Sequence, residues 1–193
     1  MKKNFLYGAM LFLFLLGIPG ISFADNPNIF GLEVGNSWTY DVDGGQNTEY
    51  DEVVGTQWIG STKVYVLERE IIGEWYETQW LERKAAKVKL WGGTAPFDGS
   101  MFTLRFSTGL VLAWFPMQVG DSEYSSTTTT IDEYPGFVFE VSLSADVVKE
   151  KQLTFSFGTV TAYKISYQER VWGYGEDDTT TFVQWAVYPI WAT

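Results

Sequence analysis

The feature that most constrains this chain is an internal echo. Phe30-Gly-Leu-Glu-Val-Gly-Asn-Ser37 returns as Phe115-Pro-Met-Gln-Val-Gly-Asp-Ser122, with Phe, Val, Gly and Ser identical and Leu/Met, Glu/Gln and Asn/Asp exchanged conservatively. Further on, Gly60-Ser-Thr-Lys-Val-Tyr-Val-Leu67 is answered by Gly158-Thr-Val-Thr-Ala-Tyr-Lys-Ile165, and Gln79-Trp80 by Gln184-Trp185, in the same order. Matches in fixed order predict two related half-units, about 28–91 and 113–193, joined by a hairpin connector. Glycine followed by Asn or Asp suits a turn with positive φ, so each copy of the motif reads as a turn that opens a strand.

Alternation identifies the strands. Trp38, Tyr40 and Val42 share one face; so do Phe137, Phe139, Val141 and Leu143, and again Tyr163, Ile165 and Tyr167. Period two with one apolar face is the pattern of half-buried antiparallel strands. The chain is 18% aromatic, and helix-period patterning is missing from its mature part, which points the same way. Turn signals divide it into about eleven or twelve strands. Met101 to Phe106 and Leu110 to Phe115 read as two strands turned through Ser107-Thr108-Gly109, and Phe137 to Lys149 and Gln152 to Phe157 as two more. The expected architecture is all-β: one domain over 25–193, with a curled antiparallel sheet forming a barrel, half-barrel or two-layer sandwich.

The first residues predict export. Lys2 and Lys3 precede an apolar run from Phe5 to Ile18, then Pro19-Gly20 and a small-x-small ending at Ser22-Phe23-Ala24, the pattern of a cleaved signal peptide over 1–24. No later stretch is apolar enough for a transmembrane helix, so the mature chain is expected in the periplasm or outside the cell. Removing Lys2 and Lys3 leaves 11 basic residues against 24 acidic ones, a net charge of −13. Such acidity opposes nucleic acid and anionic membrane surfaces.

The chain has no His and no Cys. That excludes Ser-His-Asp and Cys-His catalysis, His-bound zinc, haem with His ligation, iron–sulfur clusters and disulfides. Carboxylate chemistry remains. Asp41 and Asp43 alternate before Gly44-Gly45, with Asn47, Glu49 and Asp51 close behind, a set of hard oxygen donors suited to calcium. The same acidic turn is also ordinary hairpin chemistry. Glycoside hydrolysis needs two carboxyl groups, for which Glu74 and Glu169 are the weak candidates. Among nine Trp, Trp58, Trp91 and Trp172 adjoin glycine turns and are the candidate ligand-stacking positions, whereas Trp38, Trp80 and Trp185 read as core.

Val34-Gly-Asn-Ser-Trp-Thr-Tyr40, Phe115-Pro-Met-Gln-Val-Gly-Asp121, Gly158-Thr159 with Ala162-Tyr163-Lys164-Ile165, and Trp185 together resemble a broad group of uncharacterised exported bacterial β proteins. Its members carry a "VGNxWTY" opening, a "PLKVGD" middle and a "GTFxAYKV" strand before a tryptophan. The resemblance implies a curled antiparallel sheet of the bacterial envelope and brings no catalytic residues with it. Here Tyr188-Pro189-Ile190-Trp191-Ala192-Thr193 replaces the closing segment of that group.

The functional expectation is a non-catalytic binding or carrier module for a glycan or lipid-like ligand, or a component of an extracellular assembly. The assembly reading predicts self-association instead of a ligand, with the Thr-rich stretches Thr127 to Thr130 and Thr179 to Thr181 as the places where edge pairing could occur. The alternative is a carboxylate-dependent glycoside hydrolase acting on polysaccharide.

Overall fold

The computed structural model describes residues 32–42, 47–71, 75–84, 86–97, 100–155 and 158–188. The expected signal segment 1–24, Asp43 and Glu74 lie outside the described residues. Among the described residues, ten antiparallel strands follow one another in a single sheet: β1 Ser37–Val42, β2 Asn47–Ile59, β3 Thr62–Ile71, β4 Trp75–Lys84, β5 Lys87–Phe97, β6 Ser100–Trp114, β7 Ser122–Ile131, β8 Val138–Phe155, β9 Gly158–Gly173 and β10 Glu176–Tyr188. Each strand pairs with its neighbours in sequence, so the sheet is one long meander, and among the described residues no ladder joins β10 to β1. Among the described residues, no helix is long and apolar enough to cross a membrane.

The strand count falls short of the expected eleven or twelve because two turn signals are absorbed within strands. Ser107-Thr108-Gly109 continues β6, where Gly109 passes under Trp91: a Cβ there would stand 2.7 Å from the indole Nε1. Glu150-Lys151 continues β8 beyond the core, past a bulge between Val147 and Lys149. Gly92-Gly93 likewise lies within β5. Gly92 has φ +123, and an added Cβ would fall 2.1 Å from the Leu104 carbonyl oxygen; at Gly93 it would fall 1.9 Å from that of Thr78. The two glycines let β4 and β6 close on β5 from both sides.

Both copies of the repeated motif make the same turn. Gly35 and Gly120 have φ of 92 and 96. Asn36 N–H bonds Glu33 O at 3.0 Å, and Asp121 N–H bonds Gln118 O at 3.0 Å. Each turn then grips one valine, on β2 or on β8, through two backbone bonds: Gly35 N to Val53 O at 2.8 Å with Val53 N to Asn36 O at 2.9 Å, and Gly120 N to Val147 O with Val147 N to Asp121 O, both at 2.9 Å. Val53 and Val147 each start a β-bulge. The ladders beyond also correspond, since Val53–Leu67–Gln79 pair across β2–β4 as Val147–Ile165–Gln184 pair across β8–β10.

The sheet curls. Tyr167 on β9 donates its hydroxyl to the Leu112 carbonyl on β6 at 2.7 Å, although two strands lie between them in the sheet. The concave face holds one apolar core running from Val53 on β2 to Val171 on β9, with Leu90, Leu110, Phe139, Leu143 and Ile165 fully buried. Each such side chain contributes roughly 1.5–3 kcal/mol. The alternation expected for Phe139, Val141 and Leu143 and for Ile165 and Tyr167 is the observed burial pattern, whereas Trp80, expected in the core, is buried outside the core cluster with the Arg105 guanidinium 5.0 Å from its ring centroid.

One seam is held differently. The β6–β7 ladder has three pairs, Leu104–Ile131, Arg105–Thr130 and Phe106–Thr129. Past them, hydroxyls replace carbonyls: Thr127 Oγ1 accepts from Thr108 N–H, Ser107 Oγ from Thr128 N–H and Ser125 Oγ from Val111 N–H. The Thr-rich stretch at 127–130 is therefore an interior seam with β8 on its other side, a correction to its expected place at an edge. Thr179 to Thr181 does lie on β10, the last strand of the sheet.

Candidate functional site

On the outer face of β7–β10 the register sets side chains in rows. Tyr124, Ser144, Gln168 and Thr181 form one row; Ser126, Ser142, Arg170 and Thr179 form the next; Thr128, Glu140, Trp172 and Asp177 form a third. The two serines on β8 are short, as is Ser126 beside Ser142, while Tyr124, Gln168 and Arg170 around them are long. A groove of about 470 Å³ results, with Ser142 and Ser144 as its floor, Tyr124 as one wall, and Gln168, Arg170, Asp177 and Thr179 as the other. Four strands at the usual spacing span roughly 14 Å, the scale of a short oligosaccharide.

The walls are built for polar recognition on a fixed frame. Arg170 binds Asp177 through Nε to Oδ1 at 2.8 Å and a terminal nitrogen to Oδ2 at 2.6 Å. Its guanidinium carbon stands 5.3 Å from the ring centroid of Trp172, a cation–π contact. The hydrogen bond from Arg170 holds the Asp177 carboxyl below its ordinary range, and Asp177 raises Arg170 in return. Two of the five guanidinium N–H groups are used in this fork, and the rest remain as donors. Tyr124 is 64% exposed and offers a free aromatic face beside the serine floor.

The residues singled out in the sequence are dispersed. Trp172 adjoins the groove beneath Arg170. Trp58 is 68% exposed near the β2–β3 turn, opposite Lys63 in the ladder. Trp91 is half-buried and donates its Nε1–H to Glu82 Oε2 at 2.9 Å. The three tryptophans thus lie on β2, β5 and β9 rather than around one ligand.

The expected calcium donors divide as well. Asp43 and the side chains of Asp41 and Asn47 lie outside the described parts of the structure. Glu49 and Asp51 point into the concave interior, where Arg69 meets them: Arg69 Nε and a terminal nitrogen bond Asp51 Oδ1 and Oδ2 at 2.9 and 3.1 Å, and Glu49 Oε1 lies 2.9 Å from the same Nε. Glu77 Oε1 accepts from Arg69 at 3.2 Å and from Gln79 Nε2 at 3.0 Å. Among the described residues, no group of three or more acidic side chains is arranged to hold a metal ion.

Burial decides the protonation chemistry inside. Desolvation pushes Glu77 up to about 7 against the pull of Arg69, and it also raises Glu49. Burial works against the charge on Arg69, but the hydrogen bond and field of Asp51, with Glu77 and Glu49 behind them, outweigh it and hold the guanidinium protonated. Glu169 is fully buried on β9, and both its carboxyl oxygens are without a hydrogen-bond partner. Burial alone pushes it up to about 9.

A comparison with known proteins finds no match among family models, curated proteins or solved structures.

Proposed function

We propose that this chain is a non-catalytic exported binding module that takes a neutral glycan in the outer groove of β7–β10. The carrying observation is the groove itself: an exposed tyrosine face beside a hydroxyl floor, opposite an amide and a guanidinium. Sugars present apolar C–H faces to aromatic rings and rigid hydroxyls to planar donors and acceptors, and this groove supplies both. Arg170 is neutralised by Asp177, and the chain is strongly acidic, which together favour a neutral ligand over a uronate or sulfate. The single acid lining the groove is already held ionised. A glycosidase needs one carboxyl kept protonated near a second. Glu169 has a raised pKa, but it is buried on the opposite face and out of a substrate's reach.

The reading includes export through residues 1–24 and a pair of four-strand units, β1–β4 and β7–β10, joined by the hairpin β5–β6. The matching turns at Gly35 and Gly120 and the matching ladders support that pairing. In the second unit the groove lies on residues outside the repeated motif, which leaves the motif to the scaffold.

Isothermal titration of the mature protein against neutral β- and α-linked oligosaccharides, with sulfated and uronate oligomers alongside, tests the proposal. Binding to a neutral series that weakens about tenfold in Tyr124→Ala, at unchanged thermal midpoint, supports it. Heat signals confined to the anionic oligomers, or equal affinity in Tyr124→Ala, refute it.

A further inference from the structure

The interior of β2–β4 carries a charged row that the rest of the sheet does without. Arg69 pairs in register with Asp51 on one side and Glu77 on the other. One row further along, Val53–Leu67–Gln79 has its counterpart in Val147–Ile165–Gln184, so the register position of Arg69 is that of Tyr167. Tyr167 pairs with Ala145 and Phe182, and its ring stacks on Phe182 at 4.9 Å. The same row of the same curl is thus Asp–Arg–Glu in one place and Ala–Tyr–Phe in the other. The backbone arrangement does not demand the charges.

The charged row is also overloaded. Three carboxyl groups meet one guanidinium, and Glu49, Asp51, Arg69, Glu77 and Gln79 are all buried. Glu77 Oε2 and Gln79 Oε1 have no hydrogen-bond partner, and Glu49 Oε1 has its ion pair with Arg69 but no hydrogen bond. Each is an acceptor; none can satisfy another. Among the described residues, the charged groups facing Glu77 are Arg69 on β3 and Asp51 and Glu49 on β2, while β5 brings Gly93 and Thr94 alongside, neither of which titrates.

We propose that the Asp51–Arg69–Glu77 row is a proton-responsive element that tightens β2–β4 when Glu77 takes up a proton from solvent. The added proton turns one orphaned acceptor into a donor and removes one surplus negative charge from the interior. Burial sets the response close to neutrality, at about 7 for Glu77. Because this folded value lies above the unfolded one of 4.5, the stabilisation is complete below pH 4.5 and is lost as pH rises through 7. The groove lies on β7–β10, so the two devices are separable.

Amide hydrogen exchange on the mature protein between pH 5 and 8, each pH compared with Glu77→Gln, tests the proposal. The comparison cancels both intrinsic exchange and the response of Glu169. In wild type relative to the variant, β2–β4 opening should increase by up to about tenfold per pH unit from 5 to 7 and then level. The transplant Glu49→Leu/Asp51→Ala/Arg69→Tyr/Glu77→Phe, which also replaces Glu49 by its register counterpart Leu143, should stay folded and lose the same dependence, and it supplies the test if Glu77→Gln does not fold. A wild-type profile parallel to that of the variant overturns the proposal. So does a Glu77 carboxyl that titrates below 5 by carbon-detected NMR, or a folded transplant that keeps the dependence.

Discussion

Tyr167 Oη donates to the Leu112 carbonyl across the concave interior at 2.7 Å, joining residues 55 apart in sequence. It is the bond that shows β9 facing β6. Removing the hydroxyl with Tyr167→Phe leaves a buried carbonyl unpaired and should cost about 1–3 kcal/mol in urea unfolding. Tyr167→Ala also loses the ring stacked on Phe182, and about 3–5 kcal/mol is expected. Equal stability of Tyr167→Phe and wild type would mean that the curl does not depend on this bond.

Among the described residues, Arg69 is the cation that three buried carboxyl groups share. Arg69→Met leaves them without it and should destabilise the fold by about 3–5 kcal/mol at neutral pH. The loss should shrink in acid, as Glu77 and Glu49, both raised by burial, are protonated. Denaturant curves at pH 5 and 7.5 measure the difference.

Glu169 gives a pH signature of its own. Its folded value of about 9 lies above the unfolded 4.5, so its contribution is complete below pH 4.5, declines as pH rises, and is gone above 9. Glu169→Gln keeps the shape and cannot ionise. The variant should match wild type near pH 4.5 and exceed it by up to about 1.4 kcal/mol more per pH unit above that. Parallel stability curves for the two proteins would contradict a buried, partnerless carboxyl at this position.

Gly92 and Gly60 provide a matched pair. Both have positive φ, but a Cβ at Gly60 meets open space and at Gly92 it meets the Leu104 carbonyl oxygen at 2.1 Å. Gly60→Ala should cost about 1–2 kcal/mol. Gly92→Ala must also push β5 and β6 apart, and more than about 4 kcal/mol is expected, read as loss of soluble protein or of the cooperative transition.

What was legible in the sequence was local. Gly35 and Gly120 announced their turns because the positive φ there favours glycine, and alternation in Phe139, Val141 and Leu143 announced the core face. Ser107-Thr108-Gly109 misled because the same residues that make a turn also tolerate a close pass under Trp91 and bond sideways to β7. Glu49 and Asp51 resembled metal donors because their partner, Arg69, sits on the next strand. The alternation Leu67, Arg69, Ile71 placed that arginine on an apolar face and was the available signal. The groove was illegible for a deeper reason: Tyr124, Ser144 and Gln168 meet only through the β7–β8–β9 register, and no single strand carries the pattern.

The most direct measurement is an amide chemical-shift titration of the mature, isotopically labelled protein with the neutral oligosaccharide that binds most tightly. Saturable shifts centred on Tyr124, Ser142, Ser144, Gln168, Arg170 and Thr179, with β2–β4 unmoved, are expected. No saturable shift with any neutral glycan, or shifts centred on another face, would contradict a glycan site in this groove.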